Sequence, residues 1–417
     1  MKLRFPAIGL ISLLFNISLN AQVTVSLKDA INLARKNNPF YKTEKLNIDI
    51  AQAAITTAST HSNPTFNFSV QQIPSPKNYA PGTGFFSSEN RQVTYQVGKS
   101  IPINGQRRYK IEEAKSDLSL TQTNLSDYER NLLNDVSQKW LDVWYATQKL
   151  NIIKRAKVNS DTLLATNKIR LKNQVITTTE FARTQIISEQ YNLLKSDIQQ
   201  ELSSANKELA FLLGIDDSIQ INDNQVLLTI SIPDNFDSLL NYALQNRTDI
   251  QASRRAADKA KIEAMLQQSN KYQAPEVGMT YSTQNKIVYI GAYIALPIPI
   301  FDKNKGEITR AKVSLDQSKG LVDANVEKAK SEIENTYKEY LTNKANFVKY
   351  NELYGKSENV LTIVKMSYLK GGTTILDYLE AEKSWFEMQN QYYESLYNYR
   401  KSYLQLLVAS NLIQNIQ

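Results

Sequence analysis

The chain of 417 residues has no cysteine and one histidine, His61. The first absence excludes disulfide scaffolds, Cys-ligated zinc, iron–sulfur centres and thiol catalysis. The second excludes multi-His metal sites and most His-based catalytic triads. His61 has no partner His or Cys and stands just before Pro64, so a capping or interfacial role fits it better than metal ligation. Glycine (13) and proline (11) are scarce, which suits long uninterrupted helices. Past residue 21 no stretch reaches the 18 or so apolar residues of a membrane helix. The net charge of +8 comes from 49 Lys+Arg interspersed with 41 Asp+Glu, without a basic stripe or a nucleic-acid motif, so no nucleic-acid partner is expected. No acid–base cluster or nucleophile–base pairing appears, which argues against an enzyme and against any bound cofactor or metal.

What is present begins with a targeting signal. Met1–Ala21 reads as a basic start (Lys2, Arg4), a mostly apolar run over Ala7–Leu19 and a small residue, Ala21, at the cut. It is too short to span a bilayer and reads as a secretory signal peptide; without a Cys after it, a lipoprotein anchor is excluded. An exported chain without membrane helices is soluble outside the membrane or a β-barrel.

The remainder repeats itself once. Leu27–Phe40 matches Asp237–Ile250, with Ala34 on Ala243 and Asn37 on Asn246. Ile101-Pro102-Ile103 matches Ile298-Pro299-Ile300, and Leu171-Lys172-Asn173-Gln174 matches Leu369-Lys370-Gly371-Gly372. The reading is a signal peptide over 1–21, a first repeat over 22–225 and a second over 226–417, joined where Gly214 and Pro233-Asp234 supply turn residues. Each repeat is read as helix, two strands, very long helix, turn, medium helix.

In the first repeat Ser26–His61 is helix-like, with Ser26 as N-cap. Strands are expected at about 65–73 and 91–101, then at about 276–284 and 287–298. Phe66, Phe68 and Val70 alternate with Asn67, Ser69 and Gln71; Val93, Tyr95 and Val97 alternate with Gln92, Thr94 and Gln96. Such period-2 alternation fits a half-buried soluble strand as well as a barrel strand with its apolar side to lipid, and the export signal and abundant Tyr (23) weigh toward the barrel. The last strand is apolar on both sides and its facing is not readable. Gln106–Leu171 contains no Pro or Gly and carries a heptad seam, Ile111, Leu118, Leu125 and Leu132. A helix of ~66 residues spans ~100 Å at 1.5 Å per residue, and two medium helices of ~36 residues end to end match it, which suggests a cylinder of helices.

These features together resemble the TolC family of bacterial outer-membrane efflux and secretion ducts, over essentially the whole chain after residue 21. The local patterns are Leu27-x-x-Ala30 with Leu33-Ala34 and Asn38-Pro39, Pro299-Ile300-Phe301, Leu369-Lys370-Gly371-Gly372 and Leu212-Leu213-Gly214. Two positions depart: Arg247-Thr248 stands for the second Asn-Pro, and Ser410-Asn411 for the last Leu-Gly. The resemblance implies a mainly α protein with a transmembrane β-barrel, built as a homotrimer whose four strands per chain close a twelve-stranded barrel above a periplasmic α-helical tunnel. It implies outer-membrane lipid as surroundings, with a periplasmic adaptor (membrane fusion) protein and an inner-membrane pump as partners. The function implied is a passive exit duct in the outer membrane. The alternative is a soluble exported coiled-coil scaffold or adaptor, against which the paired strands speak.

The informative segment is the turn before each medium helix. Asp377 and Glu380 lie three apart on one helical face, where an acidic first turn also favours the helix dipole. The resemblance places the acidic ring of the periplasmic gate on Asp377 and Glu380, with Glu180 and its potential partner Tyr368 among the entrance contacts. It places adaptor docking on the tips Leu171, Lys172, Asn173 and Gln174 and Leu369, Lys370, Gly371 and Gly372. Like-charge rings select ions and bind cations.

Overall fold

The structure is a computed structural model that describes residues 23–216, 219–221, 230, 232–233 and 235–416. The expected signal peptide and most of the expected junction lie outside these residues. After β1 (Val23–Val25), the order α1 (Leu27–Asn37), α2 (Pro39–Ser59), β2 (Thr65–Gln72), β3 (Arg91–Ser100), α3 (Gln106–Lys172) and α4 (Thr178–Leu213) is followed by β4 (Ile219–Ile221). The same order then recurs as α5 (Phe236–Asn246), α6 (Thr248–Ser269), β5 (Glu276–Gln284), β6 (Ile287–Ala295), α7 (Lys305–Leu369) and α8 (Ile375–Ala409). No helix among the described residues is long and apolar enough to cross a membrane.

The expected single helix over Ser26–His61 is two helices. Ser26 caps the first, its hydroxyl accepting from the Asp29 N–H while the Asp29 side chain accepts from the Ser26 N–H. Asn38 then leaves the helix at φ −52°, ψ 123°, because the ring of Pro39 disfavours helical backbone at the residue before it. β6 is shorter than expected and stops before Pro297, which has no N–H for the ladder.

The residues form two compact units. The first comprises segments up to Asn38, Asp135–Thr229 and Phe347–Tyr397; the second comprises Pro39–Asn134, Ile230–Asn346 and Asn398–Gln417. Each unit therefore draws on both repeats. The first has a core around Ile153, Leu163, Tyr191, Leu361, Tyr378 and Trp385, and a short parallel pair of β1 with β4. There the Trp140 indole donates to the Val25 carbonyl at 3.1 Å.

The same joint is built once in each unit with different side chains. In the first, the Asn38 amide donates to the Leu212 carbonyl at 2.9 Å, and Gly214 takes φ 65° against the Asn37 backbone, where a Cβ would lie 2.6 Å from the Asn37 oxygen. In the second, Arg247 donates to the Ala409 carbonyl at 3.0 Å, and Asn411, at φ 61°, donates its side-chain amide to the Asn246 carbonyl at 3.0 Å. The two departures from the family pattern thus occupy equivalent places and keep the same contacts. Arg247 is 2% exposed; burial alone would lower its pKa, but Asp249 and Glu332, at 2.7 and 2.8 Å, raise it instead.

The second unit also holds a four-stranded antiparallel sheet in the order β2-β3-β5-β6. Phe68, Tyr95, Tyr281 and Ile290 stand opposite one another across the four strands, as do Phe66, Val97, Met279 and Ala292. Directly paired residues share a face, so this face is apolar across its middle rows, with Lys99 at one end and Gln72, Arg91 and Thr283 toward the other. The register also settles the facing of β6: Val288, Ile290 and Ile294 join the apolar face, and Tyr289 and Tyr293 the other. That other face carries Asn67, Ser69, Gln96, Thr94 and Ser282, and the Tyr293 hydroxyl donates to Glu276 at 2.6 Å. Gly98 and Gly278 leave room for the Tyr293 ring, whose atoms would lie within 2.5 Å of a Cβ at either position. The middle of the apolar face stands open among the described residues: Phe66, Phe68, Met279 and Ile290 are 65%, 56%, 67% and 76% exposed. A patch of that size is made for a partner, and its composition suits hydrocarbon.

The facing predicts a charge asymmetry. Phe68→Arg places a cation in hydrocarbon at a cost of about 2–4 kcal/mol near the midplane, whereas Asn67→Arg on the polar face costs less. Outer-membrane fractionation and heat-modifiable gel migration should show Phe68→Arg failing to insert and Asn67→Arg inserting; equal behaviour of the two would contradict the register.

Candidate functional site

The turns joining α3 to α4 and α7 to α8 lie in the same unit and close by the same pair of backbone hydrogen bonds. In one, Val175 donates to the Arg170 carbonyl (2.9 Å) and Gln174 to that of Leu171 (3.0 Å); in the other, Gly372 donates to Ser367 (2.9 Å) and Gly371 to Tyr368 (3.1 Å). This closure needs a left-handed residue, which is Gln174 at φ 58° in one turn and Gly371 at φ 80° in the other. Gln174 therefore corresponds to Gly371, one step out of line with the letter match of Leu171 to Leu369. Glycine takes this conformation without the steric cost that a side chain brings.

Each following helix starts with a reciprocal cap. The Thr177 hydroxyl accepts from the Glu180 N–H at 3.2 Å, and the Glu180 carboxylate accepts from the Thr177 N–H at 2.7 Å. At the equivalent place the Thr374 hydroxyl accepts from the Asp377 N–H at 3.2 Å. The Asp377 carboxylate accepts from the Thr374 N–H at 3.0 Å and from the Thr373 and Thr374 hydroxyls at 2.7 Å each. Bonds from Thr373 and then Thr374 hold the Asp377 carboxyl below its ordinary value, and the Thr177 N–H does the same for Glu180. Both stay ionised at neutral pH. The pattern Thr-x-x-Glu or Thr-x-x-Asp is visible in the sequence and signals these caps.

Asp377 and Glu380 both stand exposed one turn apart. The tip residues Lys172, Asn173, Gln174, Leu369, Lys370, Gly371 and Gly372 are exposed too, and Leu171 is half-buried. Tyr368 is elsewhere: it is 3% exposed, and its hydroxyl donates to Asn167 at 2.7 Å. Asn167 donates to the Thr184 hydroxyl at 3.0 Å, which donates to the Glu180 carbonyl at 3.1 Å. Tyr368 and Glu180 are thus linked through Asn167 and Thr184, not directly. Sequence reasoning missed Asn167, Thr184 and Arg170. Arg170 holds the two turns together: its guanidinium lies 4.5 Å from the Tyr368 ring centroid and donates at 3.2 Å to the carbonyls of Tyr368 and Leu369. Those carbonyls end a helix and have no partner inside it. A lone Arg in a heptad-like helix carries no signal of that role. The Tyr378 ring stacks on Tyr368 at 5.5 Å.

Chemically this is a hydrogen-bonded pair of turns that shows the carboxylates of Asp377 and Glu380 to solvent, with the cations Lys172 and Lys370 exposed at the tips. No group of three or more metal-ligating side chains occurs among the described residues. The sequence model described as outer membrane efflux protein matches residues 30–215 and 239–412. The chain belongs to the outer membrane efflux protein family. It is an outer-membrane protein and the exit duct of an efflux system. No curated protein sequence matches it. Solved structures share the fold. A membrane protein from Pseudomonas aeruginosa superposes with a TM-score of 0.76 at 17% identity, covering 92% of this chain and 93% of its own. VceC from Vibrio cholerae gives 0.73 at 18% identity, covering 92% and 95%. The open state of the MtrE channel from Neisseria gonorrhoeae gives 0.71 at 16%, covering 92% and 88%. The fold class is therefore the mainly α, TolC-like architecture with a membrane barrel.

One acid in this efflux protein's helical core is buried without help. Glu382 is 1% exposed, and neither carboxylate oxygen has a hydrogen-bond partner. Burial raises its pKa to about 7, with Lys365 opposing. The folded-state pKa is above the unfolded one, so stability is full below pH ~4.5, falls as pH rises to about 7 and stays reduced above it. Glu382→Gln should recover up to about 3 kcal/mol at pH 8 and flatten the pH 5–7 slope. Urea unfolding followed by far-UV circular dichroism at pH 5 and pH 8 measures both.

Proposed function

We propose that the chain works as a homotrimer whose three sheets close one barrel of twelve strands. The observation that supports this is the pair of outer strand edges, at β2 and β6, that no strand among the described residues pairs. A spanning sheet must pair every N–H and C=O, since hydrocarbon offers no other partner. Mass photometry in detergent should give one trimeric species; a folded monomer with intact strands would sink this reading. An export signal over Met1–Ala21, without a lipid anchor, would deliver the chain to the outer membrane and leave the helices in the periplasm.

The turns act as the periplasmic entrance, with Glu180 and, through Asn167, Tyr368 among its contacts. Three copies of Asp377 and Glu380 present six carboxylates around it. The helix cap accounts for Asp377, but it does not remove the charge: the bonds from Thr373 and Thr374 favour ionisation while the side chain remains at the surface. Glu380 is exposed beyond the cap. A ring of like charge attracts cations and repels anions. The neighbouring tips, Leu171–Gln174 and Leu369–Gly372, receive a periplasmic adaptor that connects the duct to an inner-membrane pump, which supplies the energy. Their exposed Gly371 and Gly372 allow a partner helix to approach closely.

The test is single-channel conductance in planar bilayers, with a trivalent cation added from the side of the turns. The double variant Asp377→Ala, Glu380→Ala should lose cation selectivity and resist the block that the parent shows. Unchanged selectivity and block would leave the two acids as a helix start and nothing more. Because Asp377→Ala also weakens a cap, Glu380→Gln alone serves as a second variant and should show a smaller shift in the same direction.

A further inference from the structure

The loop between β2 and β3 lies at the end of the sheet away from the connections to α2 and α3. It is a built structure. Asn90, 1% exposed, is its hub: its amide donates to the Thr83 hydroxyl and to the Gly84 carbonyl, both at 2.9 Å, and its side-chain oxygen accepts from the Ala80 N–H at 2.9 Å. A further tie comes from the β5–β6 hairpin. There Asn285 and Lys286 both take left-handed backbone, and the Lys286 ammonium lies 2.9 Å from the Glu89 carboxylate.

This ordered loop spends no burial on its most apolar residues. Phe86 is 89% exposed and Phe85 44%; their rings meet edge to face at 5.1 Å, and Tyr79 packs on Phe85 at 6.5 Å. A floppy loop would fold such rings away. A pinned loop that holds them out has a use for them.

The register says on which side they stand. Along β2, Phe66, Phe68, Val70 and Gln72 share the apolar face. Gln72 is the one half-buried residue of β2, and its amide donates to the Phe85 carbonyl. The loop therefore bends back over the apolar face and covers its last position. The Tyr79, Phe85 and Phe86 cluster is thereby tied, through Phe85 and Gln72, to the end of the face on which the rings of Phe66 and Phe68 approach Tyr95 at 6.4 and 5.2 Å.

We propose that the β2–β3 loop is a lipid anchor: Phe85 and Phe86 enter the outer leaflet at the rim of the apolar band, with Tyr79 at its headgroup boundary. The occupant is lipid and not a second copy of the chain, because the loop covers the face of β2 that meets hydrocarbon and not its open edge. Aromatic side chains favour that boundary, where one end of the ring system is apolar and the other wet. Glu89 and Lys286, paired beside them, mark the polar side of the same boundary. The inference rests on the apolar face being the lipid face, so the test carries a control for that.

Phe86→Trp and Phe68→Trp are each placed in the full-length protein and reconstituted in phosphatidylcholine vesicles with and without bromine on the acyl chains. The three native tryptophans, Trp140, Trp144 and Trp385, are buried at 3%, 2% and 1% exposure, so the parent protein gives the background to subtract. The added emission of both variants should fall in brominated vesicles and be protected from acrylamide in water. If Phe68→Trp is quenched by bromine and Phe86→Trp only by acrylamide, the loop stands in water and the proposal is wrong. If Phe86→Trp is shielded from both, it packs against another subunit, and the proposal is equally wrong. If Phe68→Trp is not quenched by bromine, the face assignment fails first and takes the proposal with it.

Discussion

Everything in the sheet follows from the lack of hydrogen-bond partners inside a bilayer. Water outside can satisfy any free N–H or C=O; hydrocarbon cannot, at a cost of several kcal/mol per group. Four strands pair their interior edges and leave those of β2 and β6 open. Closure by further strands is then a requirement for any such sheet that spans the bilayer. The same requirement explains why the alternation is so regular across the register. A one-residue slip would turn Phe66, Phe68, Met279 and Ile290 into the lumen and bring Asn67, Ser69 and Thr280 to lipid. Tyr293, lying over Gly98 and Gly278 on the inner face, adds a second lock, since its ring fits only where two glycines leave the space.

Much of this was legible in the sequence because period and punctuation are local signals. The alternation of β2 and β3, the proline-free run of α3 and the turn residues of each joint lie within a few residues of what they specify. Facing of β6 was not legible, because Ile287–Ala295 is apolar at nearly every position; only its pairing with β5 separates Ile290 from Tyr289. The break at Asn38 is announced by Pro39, while the matching break at Arg247 has no proline and is set by contacts with Ala409 and Glu332, which are far away in sequence, and with nearby Asp249. Asn167 and Arg170 escaped for the same reason: a polar residue on a long helix looks solvated until its partner from another helix is known.

The two repeats show how one backbone joint is kept while its chemistry drifts. A carbonyl at the end of a medium helix needs a donor, and either the amide of Asn38 or the guanidinium of Arg247 will serve. A helix must stop in left-handed backbone, and Gly214 does so by having no side chain, Asn411 by using its side chain to bond the neighbouring carbonyl. Gln174 and Gly371 repeat that choice at the turns. What is held constant is a side-chain donor for the carbonyl at the end of each medium helix, where an orphaned group is costly.

The turns apply the same economy to charge. A medium helix beginning at an exposed turn needs acceptors for its first N–H groups, and Glu180 and Asp377 provide them. An acceptor carboxylate at a helix N-terminus is also held ionised, by the very bonds that make it a cap. Negative charge at this place is therefore a consequence of starting the helix with a reciprocal box, and both repeats have it. Glu380 is different. It lies outside the box, adds nothing to the helix start and stands exposed one turn further on. Its counterpart in the first repeat, six residues after Thr177, is Arg183. The two turns thus share the charge that folding requires and differ in sign at the position that folding leaves open. A function that depends on charge at this surface has its room to vary at Glu380 and Arg183, and much less at Asp377 and Glu180.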